Sequence, residues 1–448
     1  MKVIKTNDFP STDGSFTRST VGTYWNESKV LTSAAIDVPR FNYNPDTANF
    51  EGITIETAST NLVLNSTTLS TQSVTVTSGV QYTCSFYGTG TITLSGAHTA
   101  VITGTGAFKL TKLTFTTTTT SITLTVTGTV SYGQLELGTK ATSRIITVGS
   151  SVTRAADVIT GTGLIYTTVT DPNALWSSGP TYNLADVVRY QNKLWESTQA
   201  SNTNHTPTAG VATWWLELGA DNMHAAFDGI VGTESSATTQ MTFVLKLGAI
   251  NSTALINVDA STSRLTLFDP IEGLVYSNSQ GLAVSNIVDW YGYFYDPAIV
   301  ERTQIIYTGI PSYINSVITL RLDTSTGDLT TIGQALFGIL NNIGGTQYGA
   351  SSGITDYSVK ETDDFGGVTF VERAFSKKLS AQIFVDNMQL NKVQTLLTAL
   401  RAKPSVWIGS EDTRFEETLV IYGYYRDFNT VISYPSYSLC SLEIEGLT

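Results

Sequence analysis

The side chains that could support nucleophilic or metal chemistry are few and scattered. The chain has three histidines, His98, His205 and His224. A nucleophilic triad needs a base beside Ser or Cys, and a zinc site needs several closely spaced His or Cys ligands. None of the three lies in such a spacing, and the sequence has neither an HExxH nor a CxxC motif. We therefore expect no metal, no cofactor and no catalytic residue.

Adjacent carboxylates are the other groups with catalytic potential. Glycoside hydrolysis uses two carboxyl groups about 5 to 10 Å apart in a cleft. Three adjacent pairs stand out: Asp363-Asp364, Glu411-Asp412 and Glu416-Glu417. Each lies in a polar, loop-like stretch, where a solvated surface is the simpler interpretation. The repeats of a parallel β-helix are also absent from the sequence. An enzyme that cleaves glycans is therefore the least favoured function, and we expect no enzyme.

Aromatic side chains provide a candidate binding surface instead. Sugar binding without hydrolysis needs aromatic faces surrounded by neutral polar groups, and the chain has 7 Trp and 21 Tyr. Five candidates for carbohydrate contact fall in one short stretch: Tyr182, Tyr190, Trp195, Trp214 and Trp215. Since neighbouring residues of a strand point to opposite sides, we expect one of the two adjacent tryptophans to be buried and the other to be free to stack.

The order of residues in this stretch resembles the small chitin-binding-type carbohydrate-binding module of families 5 and 12. The similarity covers about forty-five residues and starts at Trp176. It departs from the family at Leu184-Ala185, where a Gly usually precedes the Asp, and at Trp195, where Tyr is more common. The resemblance implies three short strands held together by aromatic side chains. Two roles stay open for these side chains, as the core of the module or as a glycan contact.

Two longer phrases flank a Thr-rich run of short alternating strands. The first, Phe16–Ser66, begins FTRSTVGTYW, and the second, Tyr132–Val158, begins YGQLELGTKATSR. Together they resemble the lectin-like β-sandwich domain that recurs in tailed-phage virion proteins. This resemblance implies a component of a virus particle rather than an enzyme.

Composition and charge fit such a protein. Only 14% of the 448 residues are charged, and the formal net charge is −12. Thr, Tyr and other residues that favour strands are frequent where charged residues are few, and this composition favours β-sheets. An acidic chain without a Lys/Arg cluster is unsuited to nucleic acid. No apolar run is long enough to insert into a membrane, and no signal sequence opens the chain. Cys84 and Cys440 alternate with apolar residues and are expected in the core.

The sequence predicts a mainly β, multi-domain protein made of β-sandwich or jelly-roll modules, a small three-stranded module and a C-terminal α+β domain. The predicted units are an N-terminal arm (1–15), the lectin-like sandwich (16–160), the carbohydrate-binding-module-like unit (161–219), a galactose-binding-like sandwich (220–343) and an α+β assembly domain (344–448). The string AFDG near residue 225 resembles galactose-binding-like jelly rolls, and residues 344–448 resemble the C-terminal domain of phage tail proteins.

Two local patterns in the last units predict specific elements. Leu390, Val393, Leu397 and Leu400 mark one face of a helix, which Asp386 or Asn387 could cap. The aromatic run Trp290–Tyr295 alternates as a strand would, and we interpret it as a packed strand or a subunit interface.

Taken together, these patterns lead to one main hypothesis and one alternative. The main one is a structural component of a tailed-phage virion, in the tail tip, baseplate or fibre-attachment region. It would display carbohydrate-binding-like modules and contact other tail proteins, as a homo-oligomer with ring or trimer symmetry. The alternative is a receptor-binding protein that attaches to host surface glycans. The chain would be made in the host cytoplasm and reside in the virion tail.

Overall fold

The computed structural model describes residues 1–447 except 211, 285–289, 296–299, 363–364, 366–367, 411 and 413–414. Strands make up 53% of the chain and helices 5%, so the predicted mainly β, multi-domain fold is confirmed. In the described part of the chain, no helix has the length and apolarity needed to cross a bilayer.

The first 160 residues form sixteen strands. They are β1 (Lys2–Thr6), β2 (Ser15–Thr17), β3 (Gly22–Trp25), β4 (Leu31–Ala34), β5 (Arg40–Tyr43), β6 (Phe50–Thr54), β7 (Ser59–Asn61), β8 (Gln72–Thr75), β9 (Gln81–Gly88), β10 (Thr91–Gly96), β11 (Ala100–Thr103), β12 (Gly106–Thr116), β13 (Ser121–Thr127), β14 (Val130–Leu137), β15 (Val152–Arg154) and β16 (Val158–Thr160).

Strands β8 to β14 form a β-sandwich. One sheet has the order β11-β10-β13-β8 and the other the order β12-β9-β14. The alternating apolar residues meet between the sheets, where Leu94, Leu124, Cys84 and Phe86 are all fully buried. The two flanking phrases form ribbons beside this sandwich: β3 pairs with β4, β5 with β6, β7 with β15, and β2 with β16. Cys84 is a free, buried thiol, as the pattern predicted.

The next six strands are β17 (Gly163–Thr167), β18 (Thr181–Tyr182), β19 (Val187–Tyr190), β20 (Lys193–Ser197), β21 (Asn202–Thr203) and β22 (Trp215–Ala220). Strands β19, β20 and β22 form a three-stranded sheet, and β18 pairs with β21. These five strands are the small module. Strand β17 lies outside it, because Leu164 packs into the core of the following unit. In this respect the structure differs from the predicted unit 161–219.

In the part of residues 220–343 that the structure describes there are ten strands and two short helical segments. The strands are β23 (Ser235–Thr238), β24 (Gln240–Lys246), β25 (Ser252–Asp259), β26 (Thr262–Asp269), β27 (Gly273–Gly281), β28 (Ala283–Val284), β29 (Val300–Glu301), β30 (Gln304–Thr308), β31 (Val317–Asp323) and β32 (Leu329–Asn342); the helical segments are the 3₁₀ turn Ala225–Phe227 and α1 (Trp290–Tyr295). A five-stranded sheet of order β17-β24-β31-β26-β27 packs against β25, β30 and β32 around one apolar core.

The aromatic run Trp290–Tyr295 is a helix, so its interpretation as a strand was wrong. Four of its side chains, those of Trp290, Tyr291, Phe294 and Tyr295, are 69–80% exposed. A run in which nearly every residue is aromatic has no polar contrast, and without contrast its period cannot be read.

The described residues of the C-terminal unit form eight strands and two helices: β33 (Gly345–Thr346), β34 (Ser351–Asp356), β35 (Val359–Thr362), β36 (Val368–Val371), β37 (Phe375–Asp386), α2 (Leu390–Ala399), β38 (Ser405–Ile408), α3 (Glu416–Leu419), β39 (Val420–Val431) and β40 (Tyr437–Gly446). Helix α2 packs through Val393, Leu397 and Leu400 on a core that includes the free, buried thiol of Cys440. The expected helix is present, but its N-cap is Gln389, which makes no side-chain cap bond.

The first strand joins the last two units into one sheet. The order of this sheet is β30-β25-β32-β1-β38-β39-β40-β37-β33, with β23 added on β32 and β34 on β37. Within β1, Ile4 pairs with Leu340 on one side and with Val406 on the other. Val3 and Ile4 point to opposite faces, and both are fully buried. Residues 2–6 are therefore a central strand and not the predicted arm, because they pair with β32 on one side and with β38 on the other.

Candidate functional site

The aromatic residues predicted to contact carbohydrate do come together in the small module, mostly as its core. Trp195 and Trp215 are 3% and 2% exposed. The indole Nε1 of Trp215 donates to the carbonyl of His205 (2.6 Å), and that of Trp195 donates to the carbonyl of Tyr190 (3.0 Å). The Tyr182 ring meets Trp215 edge-on at 5.1 Å. These contacts are what a forty-five-residue unit needs in order to fold.

Trp214 directly precedes strand β22 and lies on the outer side of the small module. Its ring is half-buried and stacks on the imidazole of His205, with 3.7 Å between ring centroids and 9° between planes. His205 is in turn held by Asn202 through its Nδ1 (3.1 Å). Of the two adjacent tryptophans, Trp215 is buried as expected, but Trp214 is not simply free to stack, because one face of its ring already lies on His205. Tyr190 similarly packs edge-on against Trp176 at 5.4 Å.

The two flanking phrases of the first unit meet in a buried network of ion pairs. Nη1 of Arg18 lies 3.1 Å from Oδ1 of Asp157, and Arg40 contacts the other oxygen of the same carboxylate. Arg40 also pairs with Glu56 (2.9 Å), and Arg154 lies 3.3 Å from Glu56 and 3.6 Å from Asp157. Since isolated charges are costly to bury, each arginine needs these carboxylates to remain inside the fold.

The pKa of Glu56 reflects this environment. Burial alone would raise the pKa of its carboxyl group, but the charges of Arg40 and Arg154 outweigh burial and hold the pKa below its usual value. A hydrogen bond from the Ser143 hydroxyl (2.7 Å) acts in the same direction. Glu56 is therefore a structural anion of the network.

A cleft of about 590 Å³ opens beside this network, and we call it the Trp25 cleft. Strands β3, β5 and β6 supply one side of it, and residues 105–110 and 141–144 another. Phe268 and Leu274 of the neighbouring sheet close its edge. The residues of this cleft were not singled out from the sequence, because they come from the ribbons of the first phrase, from strands of the sandwich and from the neighbouring sheet, and are brought together only by folding.

Aromatic rings form one wall of the Trp25 cleft. Trp25 meets Tyr87 at 5.2 Å and Phe108 at 6.2 Å, in both cases edge-on. The Trp25 indole donates to the Tyr87 hydroxyl (3.2 Å). Burial raises the pKa of Tyr87 above its ordinary value, so this hydroxyl stays protonated. Phe108 is 40% exposed and presents the accessible ring.

A carboxylate held by two amides also lines the cleft. Oε2 of Glu51 accepts from Nδ2 of Asn42 (2.6 Å), and Oε1 accepts from Nδ2 of Asn44 (3.1 Å). The amide oxygens are used as well: Asn42 accepts from the backbone N–H of Trp25 (3.0 Å), and Asn44 from that of Asp46 (3.0 Å). Both amides are thus fixed in orientation, and they fix the Glu51 carboxylate.

The three histidines lie in separate environments. His98 stacks on Phe115 at 4.7 Å. His224 bridges two carboxylates: its Nδ1 lies 2.6 Å from Asp221, and its Nε2 lies 3.1 Å from Asp13. Burial lowers the pKa of His224, but the hydrogen bonds to Asp13 and Asp221 outweigh burial and raise the pKa to about 9. A protonated imidazole between two carboxylates is a clamp rather than a general base.

The paired carboxylates do not form a cleft in the described residues. Residues 363–364 and 411 lie outside the described part, and so does the side chain of Glu416. Glu417 accepts from the backbone N–H of Thr303 (2.8 Å) and lies 3.6 Å from the Lys377 ammonium. It thus ties α3 to β30. Among the residues that the structure covers, no group of three or more His, Cys, Asp or Glu is arranged to hold a metal ion.

Comparison with known proteins gives little. No family model matches the sequence. No curated protein matches it either. Among solved structures, the crystal structure of the coconut allergen cocosin is 10% identical and covers 77% of this chain and 87% of its own, with a TM-score of 0.11. A similarity of that size carries no argument about fold or function.

Proposed function

We propose that this protein is a structural component of a tailed-phage virion, located in the tail tip, baseplate or fibre-attachment region. The observation that carries the proposal is the meeting of the two phage-like phrases. Arg18, Arg40 and Glu56 come from the first phrase, and Arg154 and Asp157 from the second. The phrases resemble one lectin-like domain of virion proteins, and here they depend on one another for charge balance.

The arrangement of the sheets supports a structural role. Strand β1 lies between β32 and β38, so the residues before the lectin-like unit hold the third and fourth units together. An antiparallel sheet of this extent is a suitable base for the other units.

Exposed apolar side chains support assembly with other chains. Ile354, Phe370 and Phe375 are 64%, 74% and 52% exposed and line one depression of about 410 Å³ on β34, β36 and β37. Monomeric proteins seldom leave such patches uncovered. Contacts between copies of this chain and with other tail proteins, around a ring or trimer axis, would cover it.

Labelling of particles tests the proposal. An antibody raised against the purified chain should bind purified particles of the phage that encodes it, and electron microscopy should place the label on the tail. Mass spectrometry of the same particles should find the chain in a fixed ratio to the other tail proteins. A chain that is found only free in the lysate would contradict the proposal.

The alternative function, a receptor-binding protein for host surface glycans, is favoured by one specific observation. The Trp25 cleft combines an accessible aromatic ring with a fixed carboxylate, and it is separate from the small module. Adsorption assays distinguish the two roles. A receptor-binding protein, when saturating, should block adsorption of the phage to its host, whereas a purely structural component should leave adsorption unchanged.

A further inference from the structure

We propose that the Trp25 cleft binds an uncharged pyranose unit of a glycan, with Phe108 and Glu51 as the principal contact residues. The inference deepens the proposed role in displaying carbohydrate-binding units, and rests on it. It places the contact in the lectin-like unit, and not on the aromatic residues of the small module, which are largely occupied by their own core.

The aromatic wall suits the apolar face of a sugar ring. Trp25 and Tyr87 are each 6% exposed, and Trp25 meets the Phe108 ring edge-on at 6.2 Å. The Lys29 ammonium lies 5.6 Å from the centroid of the same ring, yet Phe108 remains 40% exposed. A partly exposed aromatic ring beside fixed polar groups is a common platform for ligands of mixed polarity.

The carboxylate of Glu51 suits a pair of neighbouring hydroxyl groups. Each of its oxygens already accepts one amide N–H, from Asn42 or from Asn44, and a carboxylate oxygen can accept a further hydrogen bond. The two remaining acceptor positions lie side by side, as do two adjacent hydroxyls of a pyranose. Hydrogen bonds to an ionised acceptor are stronger than neutral ones, so this contact would fix the orientation of the sugar.

The charges around the cleft favour an uncharged ligand over an acidic one. Within the described residues, no Lys or Arg makes a salt bridge with Glu51. Lys29 donates to the backbone carbonyl of Asp46 (2.8 Å) and lies over the Phe108 ring, and Lys109 lies 3.8 Å from the Asp46 carboxylate. The Arg144 guanidinium donates to Ser85 (2.9 Å) and to the carbonyl of Tyr132 (3.3 Å). A uronic or sialic acid would therefore meet an unpaired carboxylate in a chain whose net charge is −12.

A glycan array probed with the purified full-length chain tests the inference. The array should contain oligosaccharides of glucose, galactose, mannose and N-acetylglucosamine, together with matched sialylated and uronic acid forms. The expected result is binding to at least one uncharged glycan and weaker binding to its acidic counterpart. Binding to none of the uncharged glycans, or only to acidic ones, would overturn the inference.

Two substitutions locate the contact by titration calorimetry with the best array glycan. Phe108→Ala removes an exposed ring, and Glu51→Gln removes the ionised acceptor while keeping the side-chain size. Each should weaken binding roughly tenfold or more. Trp214→Ala in the small module is the matched control and should change binding less than about twofold. Loss of binding in Trp214→Ala with no change in Phe108→Ala would overturn the inference.

The design separates this inference from the proposed function. Circular dichroism and thermal unfolding establish that each variant is folded, and Phe108→Ala carries the test if Glu51→Gln disturbs the amides around it. Antibody labelling of particles does not depend on either substitution. If the chain is present on the tail but binds no uncharged glycan, glycan binding in the Trp25 cleft is refuted and the virion assignment stands. If the chain is absent from the particle but binds an uncharged glycan, the virion assignment is refuted and glycan binding in the cleft stands.

Discussion

Arg18 and Asp157 form a fully buried ion pair with 3.1 Å between Nη1 and Oδ1, although 139 positions separate them in the chain. The pair closes the lectin-like unit by joining β2 and β16, the ribbon at its two ends. Arg18 also donates to the backbone carbonyls of Ala35 (2.7 Å) and Val38 (3.0 Å), so one guanidinium organises a loop as well. The stability of the first unit should depend on this network.

Replacing Asp157 tests that dependence. Asp157→Asn leaves Arg18 and Arg40 buried with one carboxylate fewer, and we expect the free energy of unfolding to fall by about 3 to 5 kcal/mol. Hydrogen exchange of peptides from residues 16–66 under increasing urea measures it. The control is Asp46→Asn, which removes only an exposed pair with Lys109 and should cost less than about 1 kcal/mol. Equal losses in the two variants would contradict the account.

The His224 clamp predicts a dependence of stability on pH. The pKa of His224 is raised from 6.5 to about 9 in the folded chain, so the folded state holds the proton more tightly than the unfolded state. The stabilisation, up to about 3 kcal/mol, is complete below about pH 6.5 and is lost as the pH rises through 9. Urea unfolding between pH 6 and 10 measures it. The stability difference between the native chain and His224→Gln should shrink over this range, and a constant difference would argue against the clamp.

The central position of β1 predicts an unusual sensitivity of the N-terminus to substitution. Ile4→Ala opens a cavity in the apolar cluster that Ile4 shares with Leu336 and Val406, and should cost about 2 to 5 kcal/mol. Lys5→Ala, at the next position but exposed, should stay within about 0.5 kcal/mol. Thermal unfolding followed by calorimetry distinguishes them. If Ile4→Ala has no more effect than Lys5→Ala, residues 2–6 are not a structural strand.

We predict opposite effects on the stability of the small module when its two adjacent tryptophans are replaced. Trp215→Ala removes a buried ring and its bond to the His205 carbonyl, and should cost about 3 to 5 kcal/mol, enough to unfold so small a module. Trp214→Ala should leave the module folded. Limited proteolysis, with cleavage mapped to residues 175–220, is the measurement. Rapid cleavage of Trp214→Ala and resistance of Trp215→Ala would reverse the assignment.

Local patterns predicted much of the fold. The alternation that includes Leu94 and Leu124 gave the sandwich sheets, and the helical spacing of Val393 and Leu397 gave α2. What could not be predicted depends on long-range partners. Nothing near Ile4 indicates that strands more than 300 residues away flank it, and the aromatic run at residue 290 lacks the contrast that reveals a period.

The candidate site was predicted only in part, for the same reason. The aromatic residues of the small module were correctly grouped, yet the sequence left open whether they form a core or a contact, and Trp195 and Trp215 are buried. The Trp25 cleft depends on Glu51 meeting Asn42 across a hairpin and on Phe108 being supplied by strand β12 of the sandwich. The available signal in the sequence was an aromatic residue of the first phrase that is followed by Asn and Glu.

A symmetry-resolved reconstruction of the phage particle tests the central claim most directly. The account predicts density for the sheet centred on β1 in the tail, copies related by a ring or trimer axis, and the Trp25 cleft open to solvent. Absence of the chain from the particle, or a cleft filled by a neighbouring subunit in every copy, would contradict it.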